Sequence, residues 1–494
     1  MNRSMIRFLL GGVLKIEGLL LLLPIIIALI YRERVGTIFA LLAGISFLIG
    51  VIFTIRKPDS TVFYLKEGCV TCSLSWILLS LVGCLPFYMS GSIPSFTDAL
   101  FETISGFTTT GATILADVEA LPKCMLFWRS FTHWIGGMGV LVFLLAIIPL
   151  SGGSNINLMR AESPGPSVGK LVPKIKSTAR ILYIIYIVLT AVEFVLLMIA
   201  RMNPFEAICS AMGTAGTGGF GVLNDSFASY SPACQWIVTI FMILFGVNFN
   251  AYYLVVLKKA GEALQMEEVK AYIGIIVAAI VILMLDTIHI YDTFFEALTH
   301  SSFQVASIIT TTGFATADFD TWSITSRAVL VVLMFVGACA GSTGGGIKVS
   351  RFIIAGKTIL KEIGGYIHSK SIKKITMDKK PVEHEVLRSV NVFFMTYIFV
   401  FSISVLLVSI EGQDLVTTFT AVAATINNIG PGLAKVGPTC NFAFFDIFSK
   451  YVLMFDMLAG RLELFPMLML FTPGIWKEFA HPTSKSLVKS LRKE

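Results

Sequence analysis

"SIITTTGFAT", Ser307 to Thr316, is a hydroxyl-rich, irregular stretch in a chain otherwise suited to an apolar surrounding. A near-copy, "SGFTTTGAT" (Ser105 to Thr113), lies about two hundred residues earlier. Two further polar knots hold equivalent places, "GTGGFG" (Gly216 to Gly221) and "NNIGPG" (Asn427 to Gly432). Aligned on one glycine, the four give Gly111, Gly219, Gly313 and Gly430, roughly a hundred residues apart. Regular spacing of this kind marks one structural unit copied along the chain.

The alignment extends upstream. "FTDALFETISGF", "PFEAICSAMGTA", "FFEALTHSSFQVASII" and "LVTTFTAVAATI" precede the knots at a similar offset. Each has a helical apolar period over only about ten to fifteen residues, too short for a bilayer and suited to a re-entrant half-helix. Asp98 with Glu102, and Asp292 with Glu296, are expected in first turns, where the helix dipole favours negative charge.

Around each half-helix lie two apolar spans: Cys69–Ser90 with Leu126–Pro149, Thr178–Ala200 with Cys234–Leu257, Val269–Ile290 with Ala328–Leu360, and Val390–Ile410 with Phe444–Phe471. Two leading helices come first, of which Phe8 to Ile30 has an apolar core too long for a signal peptide and no small-residue cleavage site after it. That makes ten spans and four half-helices. Composition agrees: 55% of residues are hydrophobic and 14% charged, where a soluble domain carries about 25% charged. The expected fold is an all-α polytopic membrane protein with four helix–pore-loop–helix repeats around a pseudo-tetrameric pore, behind a leading hairpin. Its sections are residues 1–60 (hairpin), 61–150, 151–260 and 261–365 (three repeats, the third with an intramembrane loop), and 366–494 (fourth repeat and tail).

The net charge of +7 is no nucleic-acid footprint, because the bases sit in particular connections. Between Ile347 and Lys380 there are nine Lys or Arg against two acids. Ser151–Arg180, Arg56–Lys66 and the tail (Lys485, Lys489, Arg492, Lys493) are basic too, which places them and both termini in the cytoplasm. Arg32 and Arg34, offset only by Glu33, are the exception.

Eight cysteines do not make a metal site: "CVTC" (Cys69, Cys72) opens an apolar helix and has no second pair at zinc-ligand spacing. His133 and His300 lack a second ligand at i+4, and no nucleophile–base constellation suggests an enzyme. No cofactor is implied.

Irregular backbone survives at membrane depth only when buried in protein or lining a wet cavity. Four knots in register suggest a shared axis, with carbonyls replacing the water shell of a passing cation. Glycine admits the backbone angles this needs, and threonine adds hydroxyl acceptors and stiff packing. The candidate cation-binding residues are Thr109, Thr110 and Gly111; Thr217, Gly218 and Gly219; Thr311, Thr312 and Gly313; and Asn428, Ile429 and Gly430. Half-helix C-termini would favour a cation beneath them, and Asp117, Glu119, Asp225, Asp318 and Asp320 would gather cations at the outer mouth.

"GACAGSTGGGIKVSR" (Gly337 to Arg351) interrupts the second span of the third repeat. A glycine run weakens a helix by about 0.5–1 kcal/mol per residue, so a break is expected there. A phosphate-loop reading fails, because Ile347 separates Gly346 from Lys348 and no strand precedes the motif. Gly341, Gly344, Gly345, Gly346 and Lys348 are therefore gate candidates. Arg461, deep in an apolar helix, is another, with pairing to Glu463 or Asp456, or snorkelling to the cytoplasmic edge, as the bland alternatives. The lone acids Glu193 and Asp286 are expected near helix ends or hydrogen-bonded between repeats.

With these knots, "WRSFTHWIGGMGV" (Trp128 to Val140), the glycine loop and "GRLELFP" (Gly460 to Pro466), the sequence resembles the TrkH/KtrB superfamily of bacterial potassium-uptake proteins, in its TrkH branch. The resemblance covers almost the whole chain. It implies a potassium pore in one chain, a homodimer in the lipid bilayer of the inner membrane, and a cytosolic nucleotide-binding subunit of the TrkA type. It also implies that Arg461 helps to close the pore beneath the filter. In related plant transporters, serine at the first filter glycine accompanies sodium selectivity; Gly111 here favours potassium. The fourth knot, with Asn428 and Ile429, departs from the threonine pattern and predicts weaker discrimination. A symporter coupled to protons or sodium is the competing reading, disfavoured because the knots hold no Asp, Glu or His.

Overall fold

The computed structural model describes residues 1–58, 64–139, 175–367 and 374–480, and the basic tail and most of the Ser151–Arg180 connection lie outside them. Among the described residues six helices are long and apolar enough to cross a bilayer, or seven if the pair Pro232–Phe245 and Phe249–Val256, bent by 90°, counts as one span. The remaining expected spans fall on helices that stop part-way: Lys123–Gly137, Ile324–Val336 and Ile447–Arg461. The part of the first of these spans beyond Gly139 lies outside the described residues. The molecule is an all-α polytopic membrane protein in four helix–pore-loop–helix repeats, with a leading hairpin. The single departure among the described residues is a two-stranded ribbon, Thr376–Met377 with Lys380–Pro381.

The first leading helix is broken at Leu21, between Arg3–Leu20 and Leu22–Tyr31. Pro24 explains the break: it has no N–H to give the Leu20 carbonyl and its ring clashes there. The second, Gly36–Ile55, packs closely on the first through Gly11, Gly18 and Gly50, where an added Cβ would come within 2.7–2.8 Å of a neighbour. Glu33, between the two, accepts from Lys123 N (2.6 Å) and Cys124 N (2.9 Å). It thus caps the Lys123–Gly137 helix, whose own N-cap, Pro122, offers no side-chain acceptor. The hairpin covers the first repeat: 67% of the most apolar stretch of Leu65–Met89 is buried, against 22–33% for the first helices of the other repeats.

Asp286 ends one such helix and accepts from the Ser323 and Ser326 hydroxyls, as a hydrogen-bonded helix-end acid. Glu193 lies less than two turns before the end of Ile175–Ile199 and is fully buried.

Candidate functional site

The four half-helices are Phe96–Phe107, Pro204–Gly216, Phe294–Ile309 and Leu415–Ile426. Each starts on a side-chain cap: Ser95 accepts from Asp98 N, Asn203 from Phe205 N, Thr293 from Glu296 N and Asp414 from Thr417 N. Asp98 and Glu296 occupy first turns, joined by Glu206, which sequence reading passed over. Glu102 sits a full turn further on, and Asp292 precedes its helix.

Each half-helix ends in the same backbone figure. Thr109, Thr217, Thr311 and Asn428 are left-handed, with φ of 53–59°, and two residues later Gly111, Gly219, Gly313 and Gly430 have φ of 80–98°. The residue between, Thr110, Gly218, Thr312 or Ile429, donates its N–H five residues back, to Ser105, Gly213, Ser307 or Ala424, at 2.8–2.9 Å. Alternating backbone hand turns successive carbonyls to one side.

The knots also close a ring. A Cβ on Gly111 would strike the Gly218 carbonyl oxygen, one on Gly219 that of Thr312, and one on Gly313 that of Ile429. The fourth gap is looser, with the Cβ of Gly430 falling 2.8 Å from Thr110 O. So the twelve filter candidates do come together around one axis. Glycine is required twice over, for its φ and for the oxygen beside it.

The threonine hydroxyls do not all serve as expected. Thr108 and Thr110 bond each other at 2.8 Å, Thr310 and Thr312 at 2.7 Å, and Thr108 and Thr310 also bond back to Ile104 and Ala306 carbonyls. They brace the knots. In the fourth repeat Ile429 has no hydroxyl, and Asn428 Nδ2 instead reaches Thr110 Oγ1 (3.0 Å) and Met457 O (2.8 Å).

Two buried groups have roles behind the ring that sequence analysis did not assign to them. The His133 Nδ1–H donates to Gly106 O at 2.7 Å, and its Nε2 accepts from Phe220 N at 3.2 Å, which fixes the neutral tautomer. The carboxylate of Glu102 holds Arg129 (2.8 Å), the Thr113 hydroxyl (2.9 Å) and Ile114 N (3.0 Å). Arg129 then stacks on Phe220, 3.8 Å from the ring centre. His133 ties the end of the first half-helix to the second knot, and Glu102 with Arg129 ties the first knot's return strand to it, so their partners on the second knot lie too far along the chain for spacing to suggest them.

A cavity opens above the ring, lined by all four glycines and by Arg129, Asn224 and Asn441 among others. Its wall carries no carboxylate. The acids expected to gather cations stand on its rim: Asp117 and Glu119 are exposed and held by Asn224, Asp225 accepts from Ser229, and Asp320 lies 3.6 Å from Arg327.

Below the ring, the second helix of each repeat with described residues there breaks. Pro232–Phe245 turns into Phe249–Val256, and Asn248 restarts the helix as its cap. Ile447–Arg461 ends where Glu463 and Leu464 adopt positive φ. The third break is the glycine stretch 337–348. Gly344 and Gly345 lie against the inner ends of the third and fourth half-helices, where a Cβ would come within 2.9 Å of Thr310 O and of Asn428 Cβ. Gly345 N donates to Thr311 Oγ1 at 2.6 Å, and Lys348 Nζ donates to the Gly344 and Gly345 carbonyls. Gly346 has φ +67°, and exposed Gly341 accepts from Phe249 N at 3.0 Å. Arg461 Nη1 donates to Thr343 O at 2.8 Å and Nη2 to Gly137 O at 2.9 Å, with Gly136 O also within reach. Of its two expected acid partners, Glu463 pairs with Arg351 and Asp456 accepts from Ser404. Among the described residues no cluster of His, Cys, Asp or Glu has the geometry to hold a metal ion.

A family model described as TrkH, a cation transport protein, matches residues 37–477. The Trk system potassium uptake protein TrkH of Salmonella typhimurium is 36% identical over 484 residues, 94% of this chain and 99% of that one. The Halomonas elongata protein of the same name is 33% identical, over 97% of this chain and 100% of that one. The crystal structure of the potassium transporter TrkH from Vibrio parahaemolyticus matches with a TM-score of 0.87 at 32% identity, covering 96% of this chain and 100% of that one.

Proposed function

The chain belongs to the TrkH family of cation transport proteins, and we propose that it takes up potassium through the ring of knot carbonyls. The observation that carries this reading is the cyclic contact of each filter glycine with the next repeat's carbonyl oxygen. Four such oxygens on one axis can replace the hydration shell of a monovalent cation. The C-termini of four converging half-helices add negative potential beneath them. Family membership at about one-third identity over nearly the full chain supports potassium as the cargo.

In this reading the loop 337–348 closes the path beneath the filter. Arg461, fixed to Thr343 of the loop and to Gly137 of the first repeat, sets a positive charge under it. Opening requires the Arg461 bonds and the Gly345–Thr311 bond to be given up together. The basic connections face the cytoplasm of a bacterial cell, the chain pairs as a homodimer, and a nucleotide-binding cytosolic subunit biases the loop.

Coupled symport would need a titratable group that can trade its proton along the path. His133, packed against Gly218 of the ring, has both ring nitrogens committed to backbone partners, which favours passive conduction. Flux of potassium, rubidium and sodium into proteoliposomes, at set voltage and several pH values, decides. Potassium flux that follows its own electrochemical gradient supports the channel. Accumulation beyond that gradient, driven by protons or sodium, supports symport.

A further inference from the structure

Two neighbouring acids at the start of the third repeat's first helix, Glu267–Thr287, face different elements. Glu268 is 3% exposed, and its Oε1 accepts from Ala340 N (2.7 Å) and from Ser350 N (3.1 Å). These two donors bracket the glycine loop, one before Gly341 and one after Lys348. Its Oε2 accepts from Asn248 Nδ2 at 3.2 Å, at the break in the second repeat. One buried carboxylate thus pins both ends of the loop and the neighbouring inner helix. A backbone or amide donor left buried without its acceptor is costly, so each of these three bonds favours the arrangement that keeps all of them.

Glu267 turns the other way. Its N–H donates to Asp378 Oδ1 at 2.7 Å, and Asp378 N returns to Glu267 Oε1 at 3.2 Å. Lys357 Nζ pairs with Glu267 and donates to Thr376 O at 2.7 Å. Asp378 and Lys379, both at positive φ, form the turn of the Thr376–Pro381 ribbon. Met377, 3% exposed, is packed with Ile354 and Val390, so the ribbon's base is fixed while its turn is open.

We propose that Glu268 is the positioning residue of the gate loop, and that the Thr376–Pro381 ribbon is the cytoplasmic handle that moves the loop through Glu267 and Glu268. The proposal rests on the loop 337–348 being the gate. Displacing the ribbon tilts the first turn of the Glu267–Thr287 helix and withdraws one acceptor from both ends of the loop at once. Asp378 is a lever in this scheme. It touches neither the loop nor the ion path.

The test is rubidium and sodium flux through the full-length protein in proteoliposomes, comparing Glu268→Ala, Glu268→Gln, Asp378→Ala and the Glu268→Ala/Asp378→Ala double variant. Arg461→Ala serves as the control for the gate itself. Glu268→Ala is expected to raise basal rubidium flux about tenfold, the effect of losing one such interaction from the closed state. Glu268→Gln keeps the oxygen shared by Ala340 and Ser350 and is expected to recover most of the wild-type closure. Asp378→Ala should raise flux severalfold alone and add nothing in the Glu268→Ala background. The rubidium-to-sodium ratio should stay at the wild-type value throughout, which generalised damage to the fold would not allow. If Arg461→Ala raises flux while Glu268→Ala does not, or if the Asp378 and Glu268 effects add, the coupling is overturned and the gate stands. If neither Arg461→Ala nor deletion of Gly344–Gly346 changes flux, the gate reading falls and the coupling with it. Should Glu268→Ala fail to fold, Asn248→Ala reads the same carboxylate's third partner, and unchanged flux there overturns the proposal.

Discussion

At the residue scale, the filter glycines are constrained by an atom as well as by an angle. Gly111, Gly219 and Gly313 each have a carbonyl oxygen of the next repeat where a Cβ would stand, and at Gly430 the clash is milder, with the Cβ falling 2.8 Å from Thr110 O. Alanine at Gly219 is therefore expected to abolish rubidium flux, whereas alanine at Gly430, strained at φ +98° but with the milder clash, should lower flux less and reduce the rubidium-to-sodium ratio. Side-by-side proteoliposome measurements check the contrast, and equal losses at both positions would refute it. Asn428 bridges the fourth knot to the first, so Asn428→Ala frees Thr110 and should also admit more sodium. The places of these glycines were legible in the sequence because a positive φ at the same point of each repeat favours glycine, which recurs at a regular spacing. His133 was not: its partners are a carbonyl 27 residues back and an N–H 87 residues ahead, and neither leaves a side-chain signature.

At the element scale, the third helix break was legible because five glycines advertise it, and the other two were not. The second is set by Asn248 capping a new helix, and the fourth by Glu463 and Leu464 at positive φ, residues that carry no such preference. Arg461→Ala should raise basal flux of the protein alone, since three carbonyl contacts that lock the loop to the first repeat are lost; normal expression with reduced flux would count against this. The outer loops make a separate case. Hydrogen bonding from the Asn224 amide holds the Asp117 carboxyl below the usual carboxylate range. A lowered folded value means the clasp is fully present above the ordinary pKa of about 3.9 and is lost only as pH falls through the lower value. Asn224→Ala should shift the acid end of the uptake profile upward, and an unchanged profile would show that the rim charge plays no part in capture.

At the scale of the whole molecule, the hairpin and the first repeat are joined by Glu33, whose capping role was hidden because its partners are backbone N–H groups some ninety residues away. Glu33→Ala is expected to cost about 1–2 kcal/mol and lower the thermal midpoint in detergent, with the cation ratio unaltered. A loss of selectivity would mean the hairpin reaches the filter after all. The fourfold plan itself was readable from spacing, because a copied unit repeats its glycine even where its other residues drift. The looseness of the fourth wall has a further consequence, best put as genetics. In a pore made of four identical chains, every filter mutation arrives in four copies and is tested at full strength. Here each quadrant is inherited separately, so one nucleotide change alters a quarter of the ring, and the quadrant with the mildest clash is where such a change disturbs the ring least.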